Sequence, residues 1–206
     1  MRLGWGKADP GPASFAASLS NAETVLRGIR AGVDGFNRWS FVNRGDIDGQ
    51  WQLVRTYDIE RKQYREDVAP EPAAFYGYGI LTRFLSKHST RLADDVSGPH
   101  ESVGRFLTVT MRSPAGNLTT YLLNLHANPM QVSVRFEGLA RALELNVYQA
   151  TEDLVTAPDY RMDPVRRIDL DSGDPAAKLD LPPRSITVLS SFRLQHTDDG
   201  IGSDPR

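Results

Sequence analysis

Cysteine is absent from the 206 residues, which excludes disulfides, thiolate nucleophiles and Cys-ligated zinc or iron–sulfur sites. A surplus of one charge is missing too. Lys plus Arg number 24 against 26 Asp plus Glu, a net −2, so there is no basic field for nucleic acid or anionic lipid. No apolar run reaches the about 18 residues that a membrane span needs. The opening Met1-Arg2-Leu3-Gly4-Trp5-Gly6 has too much glycine and too little apolar length for a signal peptide. The four histidines, His88, His100, His126 and His196, lie too far apart for a helical zinc pair. What is present is ordinary: 40% apolar and 24% charged residues, which disfavours disorder, collagen and coiled coil. The length suits one domain of usual size or two small ones.

The pattern divides near residues 90–100. Over 14–33, Phe15, Leu19, Ala22, Val25, Leu26, Ile29 and Val33 fall at three-and-four spacing, one stripe of a helix. Ser20 and Glu23 fit a capping box able to restart the helix, so one or two helical pieces are both compatible with the pattern, and Gly35 stands where a helix often ends. Residues 35–43, with Phe36, Trp39, Phe41 and Val42, read as a buried strand, and helix followed by strand suggests an α/β unit. A polar loop over 44–51 carries Trp51. Pro70 and Pro72 then introduce a second helix over 73–88 with Phe75, Tyr78, Ile80, Leu81, Phe84 and Leu85 as its buried face.

From Ser102 the period changes to two. Leu107, Val109 and Met111 alternate with Thr108, Thr110 and Arg112 in a half-buried strand, and 113–117 is a turn. Further strands are expected over 118–126, 131–136, 143–148, 177–181 and 185–194. Their alternation fits antiparallel strands with one wet face, hence a small β-sandwich. The tail from Gln195 reads as disordered.

Several motifs fail on inspection. Gly4-Trp5-Gly6 and Gly77-Tyr78-Gly79 begin a dinucleotide fingerprint, but Asp9 and Thr82 occupy the third glycine position. Asp46-Ile47-Asp48-Gly49 starts like a calcium loop, yet Trp51 and Tyr57 replace the turn glycine and the bidentate acid. There is no Gly-x-Ser-x-Gly elbow and no Walker loop. No cofactor is called for.

Residues 31–41, Ala-Gly-Val-Asp-Gly-Phe-Asn-Arg-Trp-Ser-Phe, with the helix before them and the later Phe75-Tyr76-Gly77-Tyr78-Gly79-Ile80-Leu81-Thr82-Arg83-Phe84, resemble the end of a retaining glycoside hydrolase of the family-30 type (clan A). Leu181-Pro182-Pro183-Arg184-Ser185-Ile186-Thr187-Val188 looks like the last sandwich strand of such enzymes. The resemblance implies α/β plus all-β architecture: a partial (β/α)8 barrel, its last helix-strand-helix, over 1–92, an antiparallel β-sandwich over 93–194 and a disordered tail over 195–206. Retaining glycosidases use two carboxylates about 5 Å apart, which the family places at the ends of barrel strands four and seven. Residues 3–12 resemble the loop after strand seven. None of the glutamates here ends an expected barrel strand, so the chain alone is expected to be inactive.

What the resemblance leaves to this chain is substrate contact. Trp39 matches the strand-eight aromatic whose indole face stacks on a sugar, and alternation aims Asn37 and Phe41 to the same side. Asn43, Arg44, Asp46, Asp48 and Trp51 fall on the loop after that strand, at the substrate rim. Arg38 replaces the acidic residue of several relatives, so no particular sugar is implied. The implied partners are a carbohydrate or glycoconjugate and the missing barrel portion as a separate chain, without nucleic acid or a membrane span. The compartment stays open, since a secretion signal would sit on an N-terminal part. A lone strand and two helices would expose Phe36, Trp39, Phe41 and the helix stripes, leaving residues 1–90 sticky and the sandwich better ordered. The alternative reading is a non-catalytic β-sandwich module that binds carbohydrate or protein.

Overall fold

The computed structural model describes residues 14–37, 41–42, 52–58, 61–139, 141–171, 173–192, 194–197 and 200–202. The first helix, α1, is Phe15–Arg30. Ser14 caps it, its hydroxyl accepting from Ala17 N at 3.2 Å. The exit uses Gly32 rather than the expected Gly35. At φ +84° Gly32 lets Val33 N donate to Gly28 O and its own N donate to Ile29 O, a Schellman closure. The helix is continuous through Ser20, and Glu23 pairs with Arg27 at 2.9 Å instead of starting a new cap.

After α1 come the strands β1, Val54–Asp58, and β2, Gln63–Pro70, an antiparallel hairpin. Helix α2, Pro72–Thr82, follows with Pro72 at its first turn, then the short β3, Thr90–Arg91, and α3, His100–Val103. The strands β4 (Phe106–Arg112), β5 (Leu118–Asn124), β6 (Met130–Arg135) and β7 (Leu143–Ala150) come next. Then follow α4 (Glu152–Val155), β8 (Arg166–Leu170), β9 (Ala176–Leu181) and β10 (Ser185–Ser190). The chain beyond Gln195, expected to lack order, carries a short antiparallel ladder of β11 (Gln195–Thr197) with β12 (Gly200–Gly202). The fold is thus mixed, and the described strands do not close into a barrel.

Six strands form one antiparallel sheet in the order β3-β4-β5-β10-β7-β8, and β6 pairs with β9 in a separate two-stranded ladder. The expected wet face is not found at the centre of this sheet. Every residue of β10, and every residue of β5 after Leu118, is buried, because the two faces are covered by different elements. On one face Leu107, Val109, Tyr121, Leu123, Tyr148, Ile186 and Val188 share a cluster with Phe15, Leu19, Leu26, Ile80, Leu81 and Phe84 of the helical part. On the other, Leu122, Leu145, Val147, Ile168 and Leu189 meet Ala177, Leu179 and Leu181 from the β6–β9 ladder. Each large apolar side chain so buried contributes about 1.5–3 kcal/mol. The helix stripes expected to be exposed are covered by this sheet, and the apolar cluster runs across the boundary drawn at 92/93 from composition.

Helix and sheet are also joined by buried hydrogen bonds. The expected second helix ends at Thr82, six residues early, and two strand hydroxyls receive the carbonyls released there: Tyr121 OH donates to Leu81 O at 2.9 Å and Thr119 Oγ1 to Phe84 O at 2.8 Å. Burial raises the Tyr121 phenol well above its ordinary pKa, so it stays a donor. Tyr121→Phe leaves the Leu81 carbonyl without that donor and is expected to cost about 1–2 kcal/mol, read as a lower urea midpoint with unchanged slope. An unchanged midpoint would mean that another donor takes over.

Candidate functional site

Five of the six candidate substrate-binding residues, Trp39, Asn43, Arg44, Asp46 and Trp51, lie outside the described residues, as do Arg38 and Asp48. Asn37 is described, and it is exposed in a segment without regular structure. The buried strand expected over 35–43 is therefore not seen where the chain is described. Residues 33–37 pair with no strand among the described residues, and Val33, Phe36, Phe41 and Val42 are exposed. One backbone connection remains. Val42 forms a parallel bridge with Val54, and Phe41 O accepts from Leu53 N at 3.1 Å and Val54 N at 2.9 Å.

That connection places the start of the β1–β2 hairpin beside Phe41 and Val42. The hairpin was missed in the sequence because its turn uses neither glycine nor proline. Lys62 takes a left-handed φ of +53°, and Asp58 Oδ1 accepts Arg61 N at 3.0 Å. Its ladder is irregular as well. Arg55 faces Ala69 and Tyr57 faces Tyr64, so four residues, 65–68, oppose Thr56 alone. The bulge is closed by Arg65, whose Nη2 donates to Asp67 Oδ2 at 2.7 Å and whose Nε donates to Oδ1 at 3.2 Å. That hydrogen bond is the main cause holding the Asp67 carboxyl below its usual pKa.

At the base of the hairpin, Arg55 and Glu71 form an ion pair, and Glu71 N donates to Leu53 O at 2.8 Å. Gln52 is buried beside Leu53, and its Oε1 has no hydrogen-bond partner among the described residues. The other described glutamates are scattered. Glu23 and Glu144 pair with Arg27 and Arg167, while Glu66, Glu101, Glu137 and Glu152 are exposed on separate elements. The named strand pairings are all antiparallel, so they build no face where several parallel strands end together. Among the described residues no three His, Asp or Glu gather to hold a metal, and no helix is long and apolar enough to cross a membrane. An open hollow of about 390 Å³ lies at the far end of the β6–β9 ladder, lined by Arg135, Phe136, Glu137, Gly138, Leu139 and Pro175.

No protein-family model matches the sequence, and no curated protein matches it. Solved structures do. The fold is similar to part of the catalytic domain of GH30 xylanase C from Talaromyces cellulolyticus, with a TM-score of 0.61 and 12% identity over 84% of this chain and 34% of that one. It is similar to the glycoside hydrolase family 30 subfamily 8 xylanase Xyn30A from Clostridium acetobutylicum, with a TM-score of 0.60 and 10% identity over 86% and 39%. A conserved exported protein from Bacteroides fragilis gives a TM-score of 0.60 and 17% identity over 87% and 35%. The chain therefore spans little more than a third of the length of these structures.

Proposed function

We propose that this chain is a C-terminal portion of a glycoside hydrolase with a retaining mechanism, which meets carbohydrate at the 37–51 segment and braces the rest of the enzyme with its sheet. The observation that carries this reading is the fold, since 84–91% of the chain superimposes on 34–40% of three family-30 xylanases. Under it, residues 1–92 belong to a (β/α)8 barrel and 93–194 to a β-sandwich. The nucleophile and the acid/base, about 5–5.5 Å apart in retaining enzymes, are supplied by a portion outside this chain. Trp39 and Trp51 give sugar-stacking faces, and Asn37, Asn43, Arg44 and Asp46 give hydrogen bonds at the rim.

The test is affinity electrophoresis of the chain through gels containing xylan or a β-1,6-glucan. Retardation is expected, and Trp39→Ala and Trp51→Ala are each expected to weaken it about tenfold, the loss of roughly one stacking contact. No retardation by either polymer would sink the reading. A second reading, a non-catalytic β-sandwich module that binds carbohydrate or protein, is favoured by the hollow at Arg135 and Glu137. It wins if Arg135→Ala abolishes binding while both tryptophan variants keep it.

A further inference from the structure

Tyr64 is the most exposed of the large apolar and aromatic side chains among the described residues, at 70%. It is nevertheless held in place. Tyr57, directly opposite in the ladder, meets it edge to face with ring centroids 5.3 Å apart and planes at 80°. Neither phenol hydroxyl has a hydrogen-bond partner among the described residues. Immediately after Tyr64 the chain enters the bulge that Arg65 and Asp67 close, and Arg65 reaches Asp67 through Nε and Nη2, leaving Nη1 without a partner among the described residues. The Val42–Val54 bridge ties this hairpin to the segment proposed to meet sugar.

Fixing the rotamer of an exposed ring by a neighbour lowers the entropy lost when something stacks on it. A pyranose ring matches such a surface, with an apolar C–H face to lie on the aromatic and hydroxyls at its edge for phenol and guanidinium groups. From this pairing of a pinned, open tyrosine with flanking hydrogen-bonding groups we infer that Tyr57 and Tyr64 form a second carbohydrate subsite, which holds a pyranose unit of the same chain that passes Trp39. The inference rests on the glycosidase reading and adds residues to it. Tyr64 supplies the stacking face and Tyr57 positions it.

The experiment uses the whole chain in gels of graded xylan or β-1,6-glucan content. Tyr64→Ala is expected to weaken retardation about five- to tenfold, as the loss of one aromatic contact does, while Tyr64→Phe keeps at least half of the wild-type affinity. Near-ultraviolet circular dichroism of Tyr64→Ala should retain the signal of the buried Tyr121 and Tyr148, which separates lost binding from lost folding. Wild-type retardation that Tyr64→Ala leaves unchanged overturns the subsite and spares the glycosidase reading. Equal loss in Tyr64→Phe and Tyr64→Ala overturns stacking as the cause. A wild-type chain that neither polymer retards overturns both.

Discussion

Phe84→Ala should destabilise the chain by about 3–5 kcal/mol, the range for truncating a fully buried aromatic, and should loosen helices and sheet together. Phe84 sits just beyond α2, buried against Tyr148 with ring centroids 4.5 Å apart, in the cluster that also holds Leu19 and Leu26 of α1 and Val109 and Ile186 of the sheet. Its carbonyl is in addition the acceptor for Thr119. Removing the ring opens a cavity where three elements meet, and a loss of this size is a large part of the roughly 5–15 kcal/mol that holds an ordinary domain. Hydrogen exchange followed by mass spectrometry checks it. Peptides from α1, α2, β5 and β10 should lose protection in parallel, and urea unfolding should show one transition by circular dichroism and by tyrosine fluorescence. Loss of protection confined to the helices would show instead that residues 1–92 unfold apart from the sheet.

Gly77→Val should cost about 3 kcal/mol, because it forces apart the two helices that cover the sheet. A Cβ at Gly77 would stand 2.6 Å from Ser18 Cβ and 2.7 Å from Ser18 Oγ, closer than real atoms approach. Ser18 has little freedom to retreat, since it is buried and its hydroxyl donates to Ala73 O at 2.8 Å. The cause is checked by exchanging the two positions. Ser18→Gly with Gly77→Ala restores room for one Cβ at the crossing and should lie within about 1.5 kcal/mol of wild type, the shortfall being the lost hydrogen bond. Gly77→Ala alone should be worse than the pair, and the double-mutant cycle in urea gives the coupling. Equal stability of the single and double variants would place the constraint elsewhere.

How much of this was legible beforehand depended on the range of the interactions. The stripe from Phe15 to Leu26 is local, so α1 is placed within a residue at its start, whereas its Ser14 cap carries no mark beyond that stripe. The turn at 113–117 is local too, with Gly116 at φ +86° and Ser113 N bonded to Asn117 O. The strands β4, β5, β6, β7, β9 and β10 were readable from period-two alternation, while β8 was missed because Arg166, Arg167 and Asp169 dilute its apolar content. The β1–β2 hairpin was missed for want of a turn signal, and with it the cross-strand pair of Tyr57 and the exposed Tyr64. A cross-strand tyrosine pair seven positions apart gives no sequence signal until the register is known.

The sequence by itself determined the material: a cysteine-free, charge-balanced chain with one strongly amphipathic helix and a run of alternating strands, because composition and short-range periodicity depend only on neighbours along the chain. The tertiary structure decided what those elements cover. Thr119 is a polar residue of a strand, yet it is buried, with its hydroxyl meeting Phe84 O and Ser190 Oγ from residues far away in sequence. Likewise the helix faces expected to await a barrel lie on the six-stranded sheet, where burying both apolar surfaces against each other removes them from water. Such pairings between distant segments are chosen by area and hydrogen-bond satisfaction in the whole fold, and no window of sequence contains them.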